Sequence, residues 1–248
     1  MRRYLRQGEC VLKGLSMSND RKPLHPTQRI VRHEGPAASG PPNAVAGDPE
    51  LIDLVSGHIE RCIGPVSFVL HEQQSEGVHI DIHCVAPTPE RNIWTLVTSG
   101  MAQRPMLVPD DLPDPLFAEL VAFLPPRWPL NAGAFGNESN YWPVRWLRLL
   151  ARFPHRYQTW LGYGHTIPNG DPPHPFAPNT RFSCMLIAPV LSAPEEFCRI
   201  ERPADRDIHL FAMQPLYADE MAFKLTHGTD ALLDRFDACA VDDIIDVG

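Results

Sequence analysis

The sequence predicts an α+β fold, and three observations carry that prediction. Runs of strand length and strand composition fall at 66–70, 78–85, 93–98, 182–190 and 207–213. Apolar residues recur at helical spacing over 49–62, 114–124 and 142–153. The two kinds of segment follow one another without the regular β-α-β-α alternation of a parallel sheet.

Taken in order, DPELIDLVSGHIERCIG opens on Asp48, a good N-cap, with Pro49 suited to the first helical turn. Leu51, Ile52, Val55, Ile59 and Cys62 share one face, and Gly64 ends the helix. VSFVL, VHIDIHCV and IWTLVT follow as strands, joined by connections (SEGV, PTPERN) that suit antiparallel neighbours. On the third of these, Trp94 and Leu96 share a face directed at a core that includes Met185, whereas Ile93, Thr95 and Val97 share the other. Asp114–Pro115 repeats the cap-and-proline start, with Leu116, Phe117, Leu120, Val121 and Leu124 predicting a second helix. A third helix is predicted from Trp142 to Phe153, with Val144, Leu147, Leu150 and Ala151 inward. GYGHTIPNGDPPHPFAPNT is too polar and proline-rich for regular structure. Strands FSCMLIAPV and DIHLFAM come next, then one or two helices interrupted near Gly228, with Thr229–Asp230 as a new cap.

Composition bounds the function. The chain has 248 residues, 44% hydrophobic and 21% charged, with a net charge of −8, long enough for a substantial core. Residues 1–33 hold eight Lys/Arg and two Asp/Glu, leaving −14 on the remainder. An acidic body lacks the basic patch of a nucleic-acid-binding domain and is compatible with a basic protein partner. Residues 1–44 are basic and aperiodic, a mostly disordered arm that contributes little to folding, and 45–248 read as one domain. The 27 prolines, about twice average usage, gather at 36–49, 105–129 and 168–178 and stiffen the connections there. The six cysteines form no Cys-x-x-Cys pair, and Cys62, Cys84 and Cys184 sit in apolar patterns, which predicts reduced core thiols and a cytoplasmic location. No segment has the length of a membrane span.

Two stretches bear chemistry. VHIDIHC places His79, Asp81 and His83 on one strand face, a residue set that binds first-row metals. With the loop ligands His165, Asp171 and His174 it defines one reading, a metal-dependent hydrolase. The structural reading is a solvent-facing strand face, or histidines hydrogen-bonded to a neighbouring strand or loop. The loop 162–178 is the second stretch: Gly162 and Gly164 permit close backbone approach, and His165, Asn169, Asp171 and His174 supply polar tips. Ser67, Ser99 and Ser183 have no nucleophile-elbow context, and neither a Walker loop nor GxGxxG occurs, so no cofactor is implied.

WTLVTSGMAQRPM, WPL at 128–130, WLRLLARFP leading into GYGHTIPNGDPPHPF, FSCMLIAPV and PLYADEMAFKLTHGTDALLDRF occur in this order. In order and wording they resemble the Suppressor of fused domain family, particularly its bacterial members, over about residues 45–247. The resemblance implies an α+β domain with a mixed, largely antiparallel sheet packed by helices. It also implies a non-enzymatic, protein-binding function without metal or cofactor, and bacterial members are thought to include immunity proteins that neutralise a toxin by binding it. The most family-specific segments, Thr98, Ser99, Gly100 and Met101 together with His165, Asn169 and Asp171, are the expected partner-binding residues: a strand end and a loop that together accept an extended segment by strand addition.

Overall fold

The computed structural model describes residues 46–73, 75, 77–202 and 206–247, so the predicted arm lies outside the described residues. Among the described residues there are eight strands: β1 (Phe68–Leu70), β2 (Asp81–Val85), β3 (Trp94–Ser99), β4 (Ala118–Leu124), β5 (Thr166–Pro168), β6 (Cys184–Ala188), β7 (Arg199–Ile200) and β8 (Ile208–Leu216). Four helices accompany them: α1 (Pro49–Cys62), α2 (Glu138–Tyr157), α3 (Ala218–His227) and α4 (Thr229–Ala238). The strands form one sheet in the order β1-β2-β3-β4-β8-β6-β5, with β7 added along β8. Only β4 and β8 run parallel; the other pairs are antiparallel, giving the mixed, largely antiparallel sheet that the sequence implies.

Helices cover both faces. On one, Trp142, Leu147 and Leu150 of α2 pack over Ile82, Leu96 and Leu120. On the other, α1 buries Leu51, Val55 and Ile59 against Val97, Val121 and Phe123. Further along that side, Phe223 of α3 and Leu232 and Phe236 of α4 cover Cys184 and Leu186. Leu96 and Met185 share the α2-side core, with Trp94 half-buried at its edge, and Val97 with the half-buried Ile93 joins the opposite one, as the alternation predicts. Cys84 and Cys184 are free, buried thiols. Among the described residues no helix is long and apolar enough to cross a membrane.

The local signals hold at most helix ends. Asp48 caps α1, accepting from the Glu50 and Leu51 amides at 3.0 and 3.5 Å. Asn137 caps α2, which begins four residues before its predicted start; Pro143, sixth in the helix, cannot donate to the Ser139 carbonyl, and Asn179 Nδ2 donates to that carbonyl instead at 3.2 Å. The break between α3 and α4 falls at Gly228, whose φ of 94° favours glycine.

One element is corrected. The predicted helix at 114–124 is strand β4. β4 lies between β3 and β8 with every residue buried, so, Glu119 apart, its two faces are both apolar and no alternation marks it. Leu120 and Leu124 face α2 while Val121 and Phe123 face α1, and that two-sided set mimics helical spacing. Asp114 caps nothing; its carboxylate lies against Gly162, where an added Cβ would come within 2.2 Å of Oδ1. A smaller difference is β5, which the proline-rich loop contributes to the sheet edge beside β6.

Candidate functional site

The polar face of β2 does not meet solvent. It lies beneath α1, and both His83 and Asp81 are buried. Ser56 of α1 bonds His83 Nδ1 at 3.1 Å, and Ser99 of β3 bonds Nε2 at 2.9 Å. Asp81 accepts from His71 Nδ1 at 3.0 Å, from His79 Nε2 at 2.9 Å and from the Glu72 amide at 3.0 Å. The other nitrogen of His79 meets Ser75 Oγ at 2.7 Å. His79, Asp81 and His83 are thus divided between two hydrogen-bond sets that tie α1, β2, β3 and the 71–75 segment together. Among the described residues no three His, Cys, Asp or Glu side chains are grouped as a metal ion would need. The loop ligands are also misplaced for the hydrolase reading, because β2 is next to one edge of the sheet and the loop forms the other edge. Of the two structural alternatives, the hydrogen-bonded one holds.

Burial lowers the pKa of His83 to about 4, with Asp81 opposing the shift and His71 adding to it. The unfolded imidazole takes up its proton near 6.5 and the folded one does not, so stability present above that pH is lost as pH falls from 6.5 towards 4. We expect urea midpoints to fall across this window, with His83→Gln removing about 2–4 kcal/mol of the acid sensitivity. An unchanged slope in the variant would show that other groups dominate.

The segment Thr98–Met101 closes over a carboxylate that sequence reasoning missed. Glu119, fully buried in β4, accepts from Thr98 Oγ1 at 2.6 Å and from the amides of Gly100 and Ala102 at 2.8 and 3.0 Å. Gly100 has φ of 122°, and a Cβ there would come within 1.9 Å of the His79 carbonyl oxygen. His155 of α2 donates to the Met101 carbonyl at 2.7 Å. Thr98, Ser99 and Met101 are buried. The strand end expected to offer free amides therefore directs two of them onto Glu119. The single signal in the sequence was one acid inside the apolar run AELVAFL.

The loop is differently built. His165 packs edge-on to Trp160 at 5.3 Å, and burial lowers its pKa, opposed by Asp114. Asn169 donates to the His174 and Pro175 carbonyls at 2.9 and 3.0 Å, and its own amide donates to Ser183. Asp171 is exposed at the tip, beside an open cleft of 550 Å³ that Glu138, Arg145, Asn169, His174 and Phe176 help to line. β5 pairs with β6 alone among the named strands, so its outer side is a sheet edge. The structure does not bring Thr98–Met101 and His165–Asp171 together: β4, β8 and β6 separate their strands.

A mixed, largely antiparallel sheet covered by helices on both faces makes this chain an α+β domain. The family model described as Suppressor of fused protein (SUFU) matches residues 76–248, and the chain belongs to that family. It is similar to a SUFU (suppressor of fused protein) homologue from Neisseria gonorrhoeae FA 1090, with a TM-score of 0.59 and 18% identity over 81% of this chain and 96% of that one. A chain of the Sufu-Fu complex matches with a TM-score of 0.52 and 14% identity, over 76% of this chain and 84% of that one. Drosophila Suppressor of Fused gives a TM-score of 0.48 and 15% identity, and this chain covers 46% of it. No curated protein matches the chain in sequence.

Proposed function

We propose that this chain is a non-enzymatic protein-binding module, with a binding domain over 45–248, that captures a basic protein partner such as a toxin domain and so acts as an immunity protein. The observation that carries the reading is the open β5 edge beside the exposed Asp171, on a body whose charge is strongly negative. The Thr166 backbone faces the edge, while Pro168 has no N–H to offer, which limits strand addition to a short register. His165, Asn169 and Asp171 frame that edge and select the partner's side chains; the buried Thr98–Met101 turn stands apart as scaffold. Family membership and the existence of a Sufu-Fu complex of the same fold support protein binding. Cys84 and Cys184 are free thiols that burial pushes up to about 12, whereas Cys239 is disulfide-bonded, so the cysteines by themselves do not select a reducing compartment.

The test is affinity capture from the native host, followed by titration of the captured protein against variants. Asp171→Ala is expected to weaken binding by up to about tenfold, mainly through a slower association rate, with an unchanged melting temperature. His165→Ala should weaken it as well. Affinity intact in both variants would move the partner surface elsewhere.

A further inference from the structure

The outer face of α2 carries the charge opposite to that of the body. Residues 139–170 contain no Asp or Glu, and Arg145, Arg148, Arg152 and Arg156 recur there at intervals of three and four. That spacing gathers them on one side of the helix. Trp142, Leu147 and Leu150 take the other side, against the sheet. From Arg145 to Arg156 the row is about 16 Å long. Leu149, 39% exposed, borders it between Arg145 and Arg152. His155 of α2 donates to the Met101 carbonyl at 2.7 Å, and the exposed Arg104 adds its charge beside it.

Two of these charges are answered within the protein: Glu138 pairs with Arg145 at 2.6 Å, and Glu72 pairs with Arg152. Among the described residues Arg148 and Arg156 have no carboxylate partner. Arg148 donates to the Leu70 and His71 carbonyls at 2.7 and 3.3 Å and to the Tyr141 hydroxyl at 3.4 Å. Those bonds fix its direction and leave its charge uncompensated, so a ligand would find it already oriented. Arg156 is exposed, with its guanidinium 6.0 Å from the Tyr157 ring. The row is also finite. Glu138 closes its N-terminal end. Beyond its C-terminal end the Leu107 amide donates to the Thr159 carbonyl at 3.1 Å, which seats the loop bearing the exposed Asp110 and Asp111 there. A long polyanion such as nucleic acid would run off the row onto these carboxylates, on a body of net −14 over residues 34–248. A short acidic polypeptide ends before it meets them.

We infer that the outer face of α2 is a docking surface for a short acidic segment of a protein, with two carboxylates about 12 Å apart for Arg148 and Arg156 and an apolar side chain between them to cover Leu149. On a partner helix those carboxylates stand about eight residues apart. Each guanidinium then gains a charge-assisted hydrogen bond that no described residue supplies. The surface uses no residue of β5 and takes a ligand of the opposite charge, so it stands whether or not the β5 edge binds a basic partner.

The test is fluorescence anisotropy with the 248-residue chain and a labelled peptide of Glu-Glu-Leu-Ala repeats, about 16 residues long so that it can form a helix. A Lys-Lys-Leu-Ala peptide and a short oligothymidine are the references. In about 50 mM salt the glutamate peptide is expected to bind about tenfold more tightly than either reference, and to lose that margin in about 500 mM salt. Arg148→Gln with Arg156→Gln should weaken it about tenfold, and Leu149→Ser about threefold. Arg148 also ties α2 to the end of β1, so a second variant avoids it: Arg156→Glu with Leu149→Ser changes two exposed side chains and should melt at the wild-type temperature. It should weaken the peptide at least as much. Equal binding of the glutamate and lysine peptides overturns the inference, as does glutamate-peptide binding that this second variant leaves intact. Oligothymidine that binds as tightly as the peptide and displaces it overturns the inference in favour of a nucleic-acid surface.

Discussion

Replacing Glu119 by alanine is expected to destabilise the domain by about 3–5 kcal/mol, because three donors then lose their common acceptor inside the sheet. Thr98 Oγ1 and the amides of Gly100 and Ala102 all end on this carboxylate. None of them reaches water, and each unsatisfied donor costs about 1–3 kcal/mol. Glu119→Gln is the informative control. Its carbonyl oxygen can keep the two amides, and its amide group can donate to Thr98 Oγ1, which turns its own hydrogen to the Leu120 carbonyl at 3.4 Å. Burial raises the pKa of Glu119 against the opposing pull of its hydrogen bonds. A raised carboxyl value has a definite sign. Below the ordinary glutamate range both states hold the proton, and as pH rises the unfolded chain ionises first, so this group's contribution to stability falls. The stability of Glu119→Gln relative to wild type should therefore increase as pH climbs above the usual carboxylate range. Urea unfolding across pH 4–8 measures both effects. An alanine variant within about 1 kcal/mol of wild type would mean that water or backbone movement satisfies the turn.

Trp142→Ala is expected to cost about 3–5 kcal/mol and to loosen the proline-rich loop. Trp142 is fully buried at the N-terminal part of α2. Its ring stacks on Phe176 at 5.3 Å and meets Trp128 edge-on at 6.2 Å. Trp146 packs against the same Phe176 at 4.5 Å. Phe176 is thus the anchor by which α2 holds the 169–178 loop. Alanine at 142 removes one wall of that anchor and leaves a cavity under the cleft. Trp142→Phe keeps a stacked ring and should cost well under half as much. A double-mutant cycle of Trp142→Ala with Phe176→Ala should show coupling of about 0.5–1.5 kcal/mol beyond area loss. If the two substitutions add without coupling, the stack is incidental packing.

These residues also show why the buried carboxylate site was only partly readable. A polar strand face of His and Asp looks the same in sequence whether it meets water, a metal or the hydroxyl of a covering helix. Ser56 and Ser99, the two partners of His83, lie on α1 and β3, 27 and 16 positions away. Glu119 is likewise 21 positions from Thr98. Nothing local in AELVAFL or TSGM indicates that one completes the other. Likewise, the resemblance singled out Thr98–Met101 and Gly164–Asp171 together, and the sheet order places three strands between theirs.

By itself the sequence determined what short-range physics controls. Asp48 with Pro49 starts α1, Gly228 divides α3 from α4, and alternation assigns Leu96 and Val97 to opposite cores. The acidic body and basic arm are likewise matters of composition. The tertiary structure decided what depends on which segments meet. It made 118–124 a strand, because a segment flanked by β3 and β8 and covered on both sides gains more from sheet pairing than its helical spacing can return. It turned His79, Asp81 and His83 from a potential metal face into internal hydrogen-bond partners, because Ser56 of α1 covers His83, His71, Glu72 and Ser75 meet Asp81 and His79, and buried polar atoms must be satisfied by whatever covers them.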